Sequence, residues 1–114
     1  VTGRLIAAKM TEDQLQEHIR TLCAGLGLAA QHIHDPRRCW LPGWPDLTVF
    51  GNRILFRELK TEHNSLSPDQ RRVGSLITRA GGNWAVWRPR DWTGGVIQRQ
   101  LQEIAGVQAE LSSA

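Results

Sequence analysis

The sequence predicts an α/β layer fold, one mixed sheet carrying helices on both faces. Three observations predict it. Apolar residues recur at helical spacing in three separated stretches, 11–26, 67–80 and 93–106. Four short runs with strand character, 28–34, 46–50, 54–60 and 84–87, fall between them. The resulting order, α-β-β-β-α-β-α, sets a hairpin in the middle and a helical crossover after it, which a helix-covered sheet accommodates.

Each element has its own signal. Thr11-Glu12-Asp13-Gln14 has the form of a capping box, with acids in the first turn where the helix dipole favours them. Leu15, Ile19, Leu22, Cys23 and Leu26 then make one apolar face, and Gly25 and Gly27 end the helix. A strand is expected from Leu28 to about His34. Asp35 to Pro45 is a loop crowded with prolines, arginines and tryptophans, which is unusual content for a connector. Asp46–Phe50 and Ile54–Lys60 read as the two strands of a hairpin around Gly51-Asn52. Ser67-Pro68-Asp69-Gln70 starts a helix, with serine as cap and proline in the first position. Val73, Leu76, Ile77 and Ala80 supply its apolar stripe, and Gly81-Gly82 stops it. Trp84–Trp87 is a further strand, ended by Pro89. A last helix is expected from Thr93 to about Gly106, with Ile97, Leu101, Ile104 and Ala105 on one side. The tail from Val107 is expected to fray.

The 114 residues suit a single domain, 1–114. No apolar run approaches the ~20 residues that span a bilayer, and Val1–Met10 lacks the apolar stretch of a signal peptide. An intracellular, cytoplasmic protein with no membrane partner is the expectation. Cys23 and Cys39, with His32 and His34 between them, match no common ligand spacing. Cys23 reads instead as a buried residue on a helix, and the two histidines as strand residues. The net charge is +3, and twelve of the fourteen basic residues are arginine. They cluster as Arg37-Arg38, Arg71-Arg72, and Arg79 with Arg88 and Arg90. Such forks suit phosphate groups, although any one of them also suits a solvated surface.

The hairpin carries the chemistry. Side chains alternate faces along a strand, so Glu58 and Lys60 share one. If Phe50 pairs with Ile54 across a three-residue loop, Gly51-Asn52-Arg53, then Asp46 sits opposite Glu58, with Cβ atoms about 4.5–5.5 Å apart. A two-residue turn would oppose Asp46 to Arg57 instead. The three-residue register is expected, with Gly51 or Asn52 in the left-handed position. Two carboxylates so close repel unless a proton or a cation intervenes. A hard cation such as Mg²⁺ resolves the conflict and activates water against phosphate. Lys60 beside it can orient or help deprotonate that water. The alternative is a surface hairpin in which Glu58 pairs with Arg57 or Lys60. The apolar neighbours Ile54 and Phe56 on the same face argue for a carboxylate beside a core.

Gly43-Trp44-Pro45-Asp46, eleven intervening residues and then Glu58-Leu59-Lys60-Thr61 resemble the PD-(D/E)xK nuclease signature. With Leu66-Ser67-Pro68-Asp69-Gln70, Gly81-Gly82 and Trp87-Arg88-Pro89 added, the chain resembles the VRR-NUC family (virus-type replication-repair nucleases) over a core of about 11–92. The resemblance implies a restriction-endonuclease-like α-β-β-β-α-β core with a mixed central sheet, followed here by a C-terminal helix. It implies metal-dependent endonuclease activity on DNA, with Mg²⁺ or Mn²⁺ as cofactor, often on branched or four-way-junction substrates in replication, repair or recombination. Its stand-alone members are similar to Holliday junction resolvases and tend to be homodimers; a bacterial or phage-infected cell is the implied setting. By the same resemblance Asp46, Glu58 and the Leu59 carbonyl would hold metal, and Lys60 would be the catalytic lysine. Gln70 would help shape the site, although it also fits a capping role. An acid on the first helix would complete the set, matched best by Glu12, with Glu17 as competitor.

DNA contacts are expected from Arg37, Arg38, His63, Asn64, Arg71 and Arg72. Trp40 and Trp44 flank the Pro45-Asp46 turn and suit stacking on bases at a distortion, or else hydrophobic packing or a dimer interface. RNA as substrate, and a non-catalytic nucleic-acid-binding module on the same fold, are the alternatives.

Overall fold

The structure is a computed structural model and describes residues 2–35 and 38–106. Its sheet has four strands in the order β1-β2-β3-β4: β1 (Ala29–His32), β2 (Leu47–Phe50), β3 (Ile54–Leu59) and β4 (Asn83–Trp87). The first three are antiparallel neighbours and β4 runs parallel to β3, so the sheet is mixed. Among the described residues five helices surround it: α1 (Thr2–Lys9), α2 (Glu12–Leu26), α3 (Pro68–Arg79), α4 (Pro89–Thr93) and α5 (Val96–Ile104). The expected restriction-endonuclease-like arrangement, with a C-terminal helix, is what the chain adopts. None of these helices is long and apolar enough to cross a membrane.

The core sits on one face of the sheet. Leu15, Ile19 and Cys23 of α2 and Ile97, Leu101 and Ile104 of α5 pack onto Leu47, Val49, Leu55, Leu59 and Trp87. Those strand residues share a face because the register pairs Leu47 with Arg57, Val49 with Leu55 and Leu59 with Trp87. Helix α3 covers the other face more thinly. It buries Val73, Gly74 and Ile77, and lies directly on the Trp84 ring at Gly74.

Several expectations change in detail. Residues 2–9 form a helix that the periodicity does not announce; it packs against α4 and buries little beyond Ala7. The last helix starts later than expected, at Val96 after Gly95 at φ 80°, and a short unexpected helix, α4, precedes it. The first strand stops at His32, leaving His34 outside it and exposed. The hairpin loop has the three-residue register, with Phe50 opposite Ile54, but no left-handed residue in it. Gly51 is needed for a different reason. A Cβ there would stand 2.4 Å from the Ile104 carbonyl oxygen, which also accepts from the Asn52 N–H at 2.7 Å. The expected fraying from Val107 lies outside the described residues.

Candidate active site

The two carboxylates meet because the hairpin register carries on past its last regular pair. Leu47 opposes Arg57, so the next positions set Asp46, just before the start of β2, against Glu58 on the face opposite the main core. The backbone holds Asp46 at both ends. Its carbonyl accepts from the Ile33 N–H at 3.0 Å, and its Oδ2 accepts from the Leu59 N–H at 2.8 Å. Pro45, just before it, is buried.

Glu58 is only 3% exposed. Its Oε1 accepts from the Gln70 side-chain amide at 2.9 Å, while its Oε2 is buried with no hydrogen-bond partner. Burial first, and then the adjacent Asp46 carboxyl, push Glu58 up to about 9, against the opposing pull of Lys60. Gln70 caps its helix and reaches Glu58 at the same time. Its Oε1 accepts from the Ser67 N–H at 2.9 Å and closes the capping box of α3, which leaves the amide nitrogen free to reach Glu58.

Glu12 opens α2 beside this pair. It keeps solvent access, yet shielding by its neighbours and the Asp46 charge raise its carboxyl above the usual range, opposed by Lys60. Its charge also acts on Glu58, whereas that of Glu17, exposed further along α2, does not figure there. Of the two candidate acids on this helix, Glu12 is the one whose charge reaches Glu58. Lys60 extends β3 by one hydrogen bond, from its N–H to the Trp87 carbonyl at 3.1 Å. Its ammonium lies within electrostatic reach of both Glu58 and Glu12.

Among the described residues no three His, Cys, Asp or Glu side chains group as a metal cage. The donor set present is of another kind, two adjacent carboxyl groups with one buried oxygen left over. That suits a cation which takes one or two carboxylates and fills its remaining positions with water and substrate. The Cys/His pattern is no site. Cys23 is buried among apolar side chains, which raises its thiol, and His32 packs edge-on to His34.

The surface residues scatter around this centre. His63 and Asn64 are exposed on the loop after Lys60; with 8–13 they line an open groove of about 550 Å³. Arg71 and Arg72 are exposed on α3. Arg38 is exposed and reaches Asp35 at 3.7 Å, while Arg37 lies outside the described residues.

Two arginines depart from the sequence reading. Arg88 is engaged within the fold, since its Nη1 donates to the carbonyls of Thr61 and Asn64, both at 2.7 Å, and fixes the loop after Lys60. Arg57 faces away from Glu58 and cannot pair with it. It is 3% exposed, held by the Asn83 carbonyl at 2.8 Å, the Asn83 and Gln100 side chains and the Trp87 ring. Strand alternation alone signals this, because Arg57 shares its face with Leu55 and Leu59. The apolar company expected for Glu58 is also thinner than its spacing implies. Phe56 packs against Trp44, but Ile54 is 45% exposed.

No family model matches the sequence, and no curated protein matches it. The fold does have a match, a solved VRR_NUC domain with a TM-score of 0.63 and 26% identity. The likeness covers 76% of this chain and 94% of that one. Motif and fold thus point to the same family, and the shared architecture is a nuclease-type fold.

Proposed function

We propose that this VRR-NUC-like domain is a metal-dependent endonuclease that hydrolyses phosphodiester bonds in DNA. One observation carries the reading: a carboxylate oxygen, Glu58 Oε2, is buried without a donor beside a second carboxylate. Such a pair is tolerated only with a proton, which Glu58 holds up to about 9, or with a cation in the proton's place.

Asp46, Glu58 and the Leu59 carbonyl would hold Mg²⁺, or Mn²⁺ in its place. When bound, such an ion acidifies water and stabilises charge building on phosphate. The chain's own groups do the rest. Gln70 fixes the Glu58 rotamer by donating to Oε1, and the Leu59 N–H fixes Asp46. Lys60 orients the attacking water and steadies the charge on the phosphoryl oxygens. Water oxygen forms the new bond to phosphorus as the bond to the leaving sugar oxygen breaks. The water gives up one proton, and the leaving oxygen gains one. Glu12, its proton affinity raised, would share in that proton traffic. Arg38, Arg71, Arg72, His63 and Asn64 supply contacts to the nucleic-acid backbone, which position a substrate without reading its sequence. Branched or junction DNA as substrate, a role in replication or repair, and a two-fold dimer presenting two such centres belong to the same proposal.

The test is cleavage of duplex, flap and four-way-junction DNA with Mg²⁺ or Mn²⁺, with EDTA as control, by wild type and Lys60→Ala. Metal-dependent cutting is expected, reduced at least about a hundredfold in Lys60→Ala, the lower range for losing a positioned proton-transfer group. Binding without cutting of any substrate would instead assign the chain as a non-catalytic nucleic-acid-binding module.

A further inference from the structure

The two tryptophans that flank the Pro45-Asp46 turn differ in their surroundings. Trp44 is half-buried, its ring edge-on to Phe56 with centroids 6.1 Å apart. Trp40 is 100% exposed. Leu41 and Pro42, which follow it, are exposed as well, so the loop ends in an apolar tip rather than one stray ring. The Arg38 side chain beside it is 88% exposed.

The tip stands on a fixed base. Gly43, at φ 89°, lies so close under α3 that a Cβ would come within 2.4 Å of the Asp69 carbonyl carbon. Trp44 and the buried Pro45 anchor the strand side. That same first turn of α3 carries Gln70, which holds Glu58. The six-residue step from Trp40 to Asp46 spans at most about 20 Å even when fully extended. Trp40 therefore acts within a few nucleotides of the proposed cleavage centre.

We propose that Trp40 stacks on an unpaired base, so that the domain prefers DNA with a helical discontinuity beside the scissile bond. The inference rests on the nuclease reading for its substrate class. Every base inside an intact duplex already has neighbours on both faces, so a stacking ring needs a base with one face free. The indole offers that platform, and Arg38 adds attraction for the adjoining phosphates. A second copy of the chain is a poorer occupant. One tryptophan, one leucine and one proline fall well short of the ~800 Å² that each partner contributes to a stable interface.

The test uses the 114-residue chain in EDTA, so that binding is read without cleavage. Fluorescence anisotropy compares an intact duplex with the same duplex carrying a short gap, for wild type, Trp40→Ala and Trp40→Phe. A 2-aminopurine in the gap reports stacking directly. Wild type is expected to prefer the gapped DNA and to quench the 2-aminopurine. In Trp40→Ala the preference should fall by about fivefold to a hundredfold, the range that truncating a base-stacking aromatic gives, with quenching lost. Trp40→Phe should recover most of both. An unchanged preference, an equal loss on both DNAs, or a wild-type dimer that Trp40→Ala dissociates in sedimentation would each overturn the proposal. The two readings fail separately. Trp40-dependent preference with no cutting under metal would retire the nuclease alone, and cutting with an unaltered preference would retire the stacking role alone.

Discussion

Glu58 has one oxygen bonded to Gln70 and one with no donor, in a fold that leaves it 3% exposed. Its proton affinity makes a prediction about stability. The carboxyl has an ordinary value of 4.5 and rises to about 9 in the fold, so the folded chain holds this proton more tightly than the unfolded one. The stabilisation is complete below about 4.5 and is lost as pH climbs towards about 9. Glu12 shifts in the same sense, while His32, lowered by burial, acts oppositely and only below its ordinary 6.5. Between pH 7 and 8 the Glu58 effect should therefore stand clear, below the range near 9.0 where the buried Cys23 thiol acts in the same sense. Thermal unfolding of metal-free protein is expected to show Tm falling across that interval by at least about 4 °C, the shift that about 1 kcal/mol produces in a chain of this size. Glu58→Gln, which cannot ionise, should flatten the slope, and Mg²⁺ should raise Tm most at the alkaline end, because it binds only the folded site. A slope shared by wild type and Glu58→Gln would remove Glu58 as its source. Arg57, lowered by burial to about 10, titrates above this window and does not disturb it.

At the scale of elements, the site depends on how the 41–46 segment meets the first turn of α3. Gly43 makes that approach possible, through both its positive φ and its missing side chain. Gly43→Ala is expected to push the Asp69–Gln70 backbone away, cost about 1–3 kcal/mol of stability, and loosen the Gln70 hold on Glu58. The cleavage rate under saturating substrate should fall at least about tenfold while far-UV circular dichroism keeps its shape, a pattern that a purely structural glycine would not give. Gly43 was legible only as part of a motif, because nothing local says which backbone will lie beneath it. The same distinction runs through the chain. Capping boxes at Thr11 and Ser67 and the Phe50–Ile54 register rest on interactions a few residues long, and they stand in the sequence as they stand in the fold. Gly51 does not: a turn explains it locally, but the Ile104 carbonyl, far along the chain, is what requires it. Helix α1 also escapes a periodicity reading, since it buries one side chain, Ala7, and leaves Leu5 and Ile6 exposed.

Across the whole molecule, β3 divides stability from chemistry. Leu55, Arg57 and Leu59 face α2 and α5, where the largest buried side chains gather; Phe56 and Glu58 face the thin layer made by α3 and the 38–46 loop. A sheet with its core on one side can tolerate costly groups on the other, because the burial that offsets them is elsewhere. Arg57 is the exception on the packed side, and its carbonyl and amide partners satisfy most of its donors without a carboxylate among them. The division predicts that damage to the two faces is separable. Leu101 is 0% exposed in the core between α5 and the sheet. Leu101→Ala should cost about 2–5 kcal/mol in denaturant unfolding, through lost burial and the cavity left behind. Under conditions where the variant remains folded, its Mn²⁺ affinity by calorimetry should stay within about twofold of wild type, since no atom of Leu101 touches the carboxylate pair and distant sites combine independently. Asp46→Asn should do the reverse, abolishing Mn²⁺ binding while leaving the metal-free fold at least as stable at alkaline pH, where Glu58 ionises and the substitution removes one of two adjacent like charges. If Leu101→Ala weakened Mn²⁺ binding as severely as Asp46→Asn, the carboxylate geometry would have to depend on core packing through β3. The backbone anchors at Asp46 and Leu59 would then be too weak to hold it alone.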